Sequence, residues 1–169
     1  MTVGIQRLLT SNQRIRDAFH AALHRDADLD AALAALAPDA VLPNTPMGTG
    51  AHDHDGLRRY LGTALLPHLP EDLAFRRITR TVDQRRVVDE DLVAFTHDRD
   101  LPWLLPGVPP THRYAEVTAI SIVGFRHQSH LGDVVSQITS HRTFWDLTGL
   151  LAQLRLHPSA VAAVATTPR

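Results

Sequence analysis

The side chains able to move a proton near neutral pH stand at a few separate places in the chain. His141 lies among the apolar residues Val135, Ile138 and Phe144, so its imidazole is expected to point into the core or a pocket. There it could serve as base or proton shuttle, or simply be a core histidine satisfied by a backbone carbonyl. His97 and Asp98 end a strand-like run, and because successive strand residues face opposite sides, only one of them can look inward without a bulge. Asp146 directly precedes Leu147-Thr148-Gly149-Leu150, a position suited to capping a helix. His52-Asp53-His54-Asp55 alternates imidazole and carboxylate as zinc or iron donors can, but no downstream ligand completes a set, so no metal is assigned. His20 and His24, one helical turn apart, lack the intervening glutamate of a metalloprotease helix, where Ala21 stands, and are read as solvated.

Other chemistries are excluded by what is missing. The chain has no cysteine, which removes thiolate nucleophiles, Cys-ligated zinc and disulfides, and makes a reducing cytoplasm the expected location. No Gly-x-Ser-x-Gly elbow and no glycine-rich nucleotide loop occurs, so no cofactor is assigned. Lys+Arg number 17 against 18 Asp+Glu, and the signs are interspersed, so neither nucleic acid nor a membrane surface is an expected partner. No run of about 18 apolar residues is present.

The elements that must position these residues follow from periodicity. Ser11 is placed to cap a helix carrying Ile15, Phe19, Ala22 and Leu23, and a second helix runs from about Leu29 to Leu36. Ala40-Val41-Leu42 predicts a short strand, followed by a turn-rich loop over residues 43–50. Asp55 is the expected cap of a third helix, with Leu57, Tyr60, Leu61 and Leu65 on one side and closed by Pro67. From Leu73 the period becomes two, giving strands over residues 75–82, 87–95, 114–125 and 134–145, then a short helix carrying Leu150, Leu151 and Leu154. The apolar, proline-rich stretch 102–110 needs something to cover it. Helices first and adjacent strands afterwards imply an α+β domain over residues 1–156. Residues 157–169 form a patternless tail in which disorder is expected.

Three segments resemble SnoaL-like proteins, the branch of the NTF2-like superfamily that includes polyketide cyclases. They are Gly48–Leu61, the Pro102–Thr111 hairpin, and the run from Phe144-Trp145-Asp146 to Gln153-Leu154. Two departures stand beside them. His141-Arg142 replaces the Glu-His pair of many relatives, and Arg126–Gly132 replaces an Asp-Gly turn. The resemblance implies a cone: three N-terminal helices packed on a curved, mostly antiparallel sheet, with a short C-terminal helix and a pocket for a small, largely apolar ligand. It also implies a cofactor-independent cyclase or isomerase of secondary metabolism. Asp146 would be the general acid/base, His141 or His97 its partner, and Arg142 or Tyr114 a donor to an enolate oxygen. Trp103, Tyr60 and Phe144 would line the pocket, Trp103 as wall or lid. An epoxide-opening enzyme on the same fold would need two inward carboxylates around an Arg or His, with Asp98, Asp146 and Arg142 as the available set. A non-catalytic binding or dimerisation module is the competing class. A homodimer is expected, because Val117, Ala119, Ile120, Ile122 and Val123 exceed what helices on one side can cover.

Overall fold

The computed structural model describes residues 3–45, 47–130 and 133–161. Its elements are α1 (Val3–His24), α2 (Leu29–Ala34), β1 (Leu36–Thr45), β2 (Thr49–His52), α3 (His54–Arg59), β3 (Ala74–Val82), β4 (Arg86–Thr96), β5 (Tyr114–His130), β6 (Asp133–Trp145) and α4 (Leu147–Leu154). A π-helical turn, Tyr60–Leu65, and a 3-10 turn, Leu66–His68, extend α3. The six strands form one sheet in the order β2-β1-β6-β5-β4-β3, antiparallel except for the β1–β6 pair. The α+β class therefore holds, with four α-helices among the described residues, the first of them long.

Several expected boundaries move. Helix α1 starts eight residues before Ser11, whose hydroxyl instead lies mid-helix, 3.3 Å from that of Ser136. Asp53, at φ 56°, caps α3 in place of Asp55 by accepting from the Gly56 N–H at 2.8 Å. The expected loop 43–50 contains the end of β1 and the start of β2, which pair through Pro43↔Gly50 and Asn44↔Thr49. The two prolines of β1 are tolerated because its ladder to β6 is irregular between Leu36 and Val41, and Pro43 has no paired residue on β6. Of the tail, residues 158–160 form a 3-10 turn, and residues 162–169 lie outside the described residues.

Period two decides which side chains meet the core. On β4, Val87, Asp89, Asp91, Val93 and Phe95 turn inward together. On β5 the inward set includes Val117, Ala119, Ser121 and Val123. Three of the residues expected on the outer face are thus core residues, and Ile120, 40% exposed, remains outside with Val41 and Phe144. On β6 a bulge interrupts the alternation: Gly124 pairs with Ser140 but Phe125 pairs with Ile138, leaving Thr139 as the extra residue. Ile138 and His141, three positions apart, can therefore both face in.

Candidate functional site

The inner face of the sheet and the helices enclose a cavity of about 80 Å³. Helix α1 contributes Arg16, His20 and His24, at four-residue spacing on one face. Strand β4 contributes Asp91, β5 Ala119 and Ser121, and β6 His141, Thr143 and Trp145. Asn44 of β1, Phe75 of β3, Trp103 of the 97–113 hairpin, and Tyr60, Leu61 and Leu65 of the π-helical turn complete the wall.

Electrostatics sets one end apart. Arg16, 3% exposed, lies 2.5 Å from Asp89 Oδ2 through Nε and 3.5 Å from Asp91 Oδ2 through Nη2. Asp89 is fully buried and also takes Arg80 through Nε at 2.5 Å and Nη2 at 2.8 Å, with Arg77 at 3.4 Å. Asp17 accepts from both Arg77 and Arg80 on the outer side. Three carboxylates and three guanidiniums thus neutralise one another, and of the carboxylates only Asp91 lines the cavity. Burial raises Asp91 from its ordinary value, with Arg16 opposing the shift and Asp89 adding to it.

The imidazoles are held neutral. Burial is the main cause in each case, reinforced by Arg16: His20 is lowered to about 3, His141 to about 4, and His24 well below its ordinary value. His20, His24 and Phe75 pack with all three ring centroids 4.6 Å apart, and His141 meets Phe19 edge-on at 5.5 Å. Reading His20 and His24 as solvated is corrected: they are cavity wall. Tyr60 is pushed up to about 12 by burial. Among the described residues, no group of three or more His, Asp or Glu converges as a metal site.

The residues singled out from the sequence separate into two groups. His141, Tyr60 and Trp103 line the cavity. Trp103 is fixed there rather than hinged, because its carbonyl accepts from Asn44 Nδ2 at 2.5 Å and Thr49 Oγ1 at 2.7 Å. The remaining residues stand elsewhere. Asp146 is exposed and caps α4, accepting from the Gly149 N–H at 2.9 Å. His97 is fully buried at the base of the hairpin, where its Nδ1 accepts from the Thr111 N–H at 3.3 Å. Asp98 is exposed and paired with Arg99 at 2.8 and 2.9 Å. Arg142 and Phe144 occupy the outer face, 5.9 Å apart as cation and ring, and Tyr114 is 60% exposed. The expected set of Asp146 with His141 or His97 does not assemble, and neither does the epoxide set of Asp98, Asp146 and Arg142. Sequence reasoning missed Arg16, Asp89, Asp91 and Ser121. The available signal was the alternation of Val87, Asp89, Asp91, Val93 and Phe95, which puts two carboxylates on an apolar face.

Comparison with known proteins agrees with this architecture. The model of the SnoaL-like domain family matches residues 15–129, more than half of the chain. The protein belongs to the SnoaL-like domain family. A comparison with curated proteins returns no match. Among solved structures, the fold is similar to that of a candidate polyketide cyclase from Acidithiobacillus ferrooxidans, with TM-score 0.65 and 22% identity over 92% of this chain and 98% of that one. It is also similar to a candidate SnoaL-like polyketide cyclase from Jannaschia sp. CCS1, with TM-score 0.64 and 18% identity over 94% and 98%. IdmH, a candidate polyketide cyclase from Streptomyces antibioticus, aligns with TM-score 0.56 and 22% identity over 86% and 99%. At these identities the likeness concerns the fold. Among the described residues no helix is long and apolar enough to cross a membrane.

Proposed function

We propose that the cavity is the active site of a cofactor-independent cyclase or isomerase acting on a polyketide-like or polycyclic intermediate. The observation that carries this reading is Asp91: a carboxylate 6% exposed, raised by burial and opening onto a largely apolar cavity beside a fixed guanidinium. A raised carboxylate is a stronger base for a carbon acid. Asp91 takes the proton α to a ketone, and the C–H electron pair passes into an enolate whose oxygen Arg16 stabilises. In a cyclase the enolate carbon then attacks a second carbonyl, forming the ring bond, and the proton returns to the alkoxide oxygen. In an isomerase it returns to a different carbon. At about 80 Å³ the cavity is well short of a polycycle, so such a substrate enters by displacing the wall. The wall includes the π-helical turn Tyr60–Leu65, a local geometry that is rare and recurs at functional sites.

Asp91→Asn tests this reading. Asparagine keeps the shape of the side chain and Arg16 keeps Asp89 as its partner, so the variant should fold, with a melting temperature lowered by the loss of one partner of the buried cluster. Turnover of the pathway intermediate should fall on the order of 100- to 10,000-fold. A folded variant that keeps the wild-type rate would remove Asp91 from the chemistry.

The homodimer belongs to the same proposal. Ile120 pairs directly with Phe144 on the outer face, and Val41 lies beyond on β1, which together make an exposed apolar strip. Light scattering should return about twice 18.7 kDa. A monomer mass at micromolar concentration would refute the pairing.

A further inference from the structure

A cavity of about 80 Å³ admits a larger ligand only if part of its wall moves, and most of that wall is held. The sheet side is a continuous ladder through β1, β6, β5 and β4. Helix α1 is tied to β4 by the Arg16–Asp89 ion pair and to β3 by Asp17, which accepts from Arg77 and Arg80. The Trp103 carbonyl accepts from Asn44 and Thr49, and His20, His24 and Phe75 pack on one another with ring centroids 4.6 Å apart. There remains the π-helical turn Tyr60–Leu65, where the Leu66 N–H reaches five residues back to the Leu61 carbonyl and the backbone is wider than in an α-helix.

Leu57, Leu61 and Leu65, all buried and one helical turn apart, seat this segment in the core. Tyr60 is directed elsewhere. Among the described residues it alone lines both the cavity and an open recess of about 820 Å³, which is bounded by residues 50–56 at the β2–α3 junction with Pro38, Arg59 and Thr63. Its ring therefore has the cavity on one side and water on the other, and burial pushes its hydroxyl up to about 12. The recess has room for a phenol ring. A change of rotamer at Tyr60 can open a passage while the three leucines stay in place.

We propose that Tyr60 is the door of the cavity: ligands enter from the recess beside the β2–α3 junction, and the Tyr60 ring swings outward into that recess to admit them. The proposal rests on the reading of this cavity as the ligand site, but not on which residue moves the proton. Tyr60 is then a specificity-determining residue, because the passage it leaves sets the cross-section of whatever reaches Asp91. The rim of the recess carries His52, Asp53, His54 and Asp55, so a ligand waiting there is still solvated and sheds its water on passing the ring.

Thiol labelling tests the door, because the chain has no cysteine of its own. Thr143→Cys places a single thiol on the cavity wall, between Asn44 and Ser121 in the strand register. Its reaction with methyl methanethiosulfonate, followed by mass spectrometry, reports how often the cavity opens. In that background Tyr60→Ala should speed labelling roughly tenfold or more, and Tyr60→Leu, which keeps more of the packing, about threefold. Tyr60→Phe keeps the ring and His24→Ala thins the opposite wall, so each should stay within about twofold of the parent. An unchanged rate in both Tyr60→Ala and Tyr60→Leu, or an equal acceleration by His24→Ala, would overturn the door. So would a parent rate that rises with dilute urea in parallel with global unfolding, since the cavity would then open only by unfolding. Failure of the proton-transfer reading looks different: Asp91→Asn would retain turnover while the labelling pattern stood.

Discussion

Asp91 and Asp146 are the same side chain in two settings, one in the middle of a strand and one just past the end of another. Asp91 faces the cavity, touches Arg16 at 3.5 Å and is raised by burial. Asp146 is exposed and gives its carboxylate to the Gly149 N–H. The difference shows that the helix-capping position of an aspartate, which is visible in sequence, says little about its acidity. Acidity follows from what desolvates the group, and that depends on strand phase. His141 and His97 are both lowered by burial, and they differ in place: His141 stands on the cavity wall, whereas His97 fastens the base of a hairpin.

The largest effect that would sharpen this contrast is on stability, at Asp89. This residue pairs with Arg16, Arg77 and Arg80 and is fully buried. Asp89→Asn leaves Arg16 with Asp91 at 3.5 Å and the half-exposed Asp17 at 3.7 Å, and loss of one partner of a buried pair costs about 3–5 kcal/mol. Urea unfolding measures this directly. A loss below about 1 kcal/mol would mean that the guanidinium is not anchored where the proposed chemistry needs it.

Acid should act next, through the cavity histidines. Their folded values lie below the unfolded 6.5, so the unfolded chain binds more protons and stability falls as pH drops below about 6.5 toward 4. Three imidazoles steepen the loss by at most about 4 kcal/mol per pH unit. Asp91, raised when folded, works in the opposite direction just above its ordinary value and softens the lower end of that window. Urea midpoints measured from pH 7 to 4.5 should therefore decline steeply, and His141→Phe should flatten the slope. A midpoint independent of pH would contradict neutral burial of these rings.

Much of the fold was legible because its signals are local. The change of period near Leu73, the apolar run of β5 and the Trp145-Asp146 to Gln153-Leu154 segment led to the α+β class and the family. Of the β1–β2 hairpin only the Ala40–Leu42 centre was legible, since Pro38 and Pro43 argue against a longer strand unless the ladder to β6 is known to be irregular. The candidate site was legible only in part. His141 was found, but its inward orientation beside Ile138 depends on the bulge at Thr139, which no pattern in the sequence announces. His20 and His24 read as solvated and Arg16 was not singled out, because charge alone does not reveal that Asp89 and Asp91 face this helix from β4.

The smallest expected effect is at Asp146, and it closes the comparison with Asp91. Asparagine caps a helix about as well as aspartate, so Asp146→Asn should change stability by well under about 1 kcal/mol and leave turnover within about twofold of wild type. Alanine removes the acceptor for the Gly149 N–H, and Asp146→Ala should cost about 0.5–2 kcal/mol through fraying of α4, which packs Leu150, Leu151 and Leu154 into the core. Gly149 has no side chain to crowd the cap: a Cβ there would collide with the Asp146 carboxylate, so Gly149→Ala should mimic Asp146→Ala in stability while keeping the acid. Agreement between those two variants, with normal turnover in Asp146→Asn, assigns the residue to structure. A large rate loss in Asp146→Asn with the melting temperature intact would instead return the acid/base role to the strand end and displace Asp91.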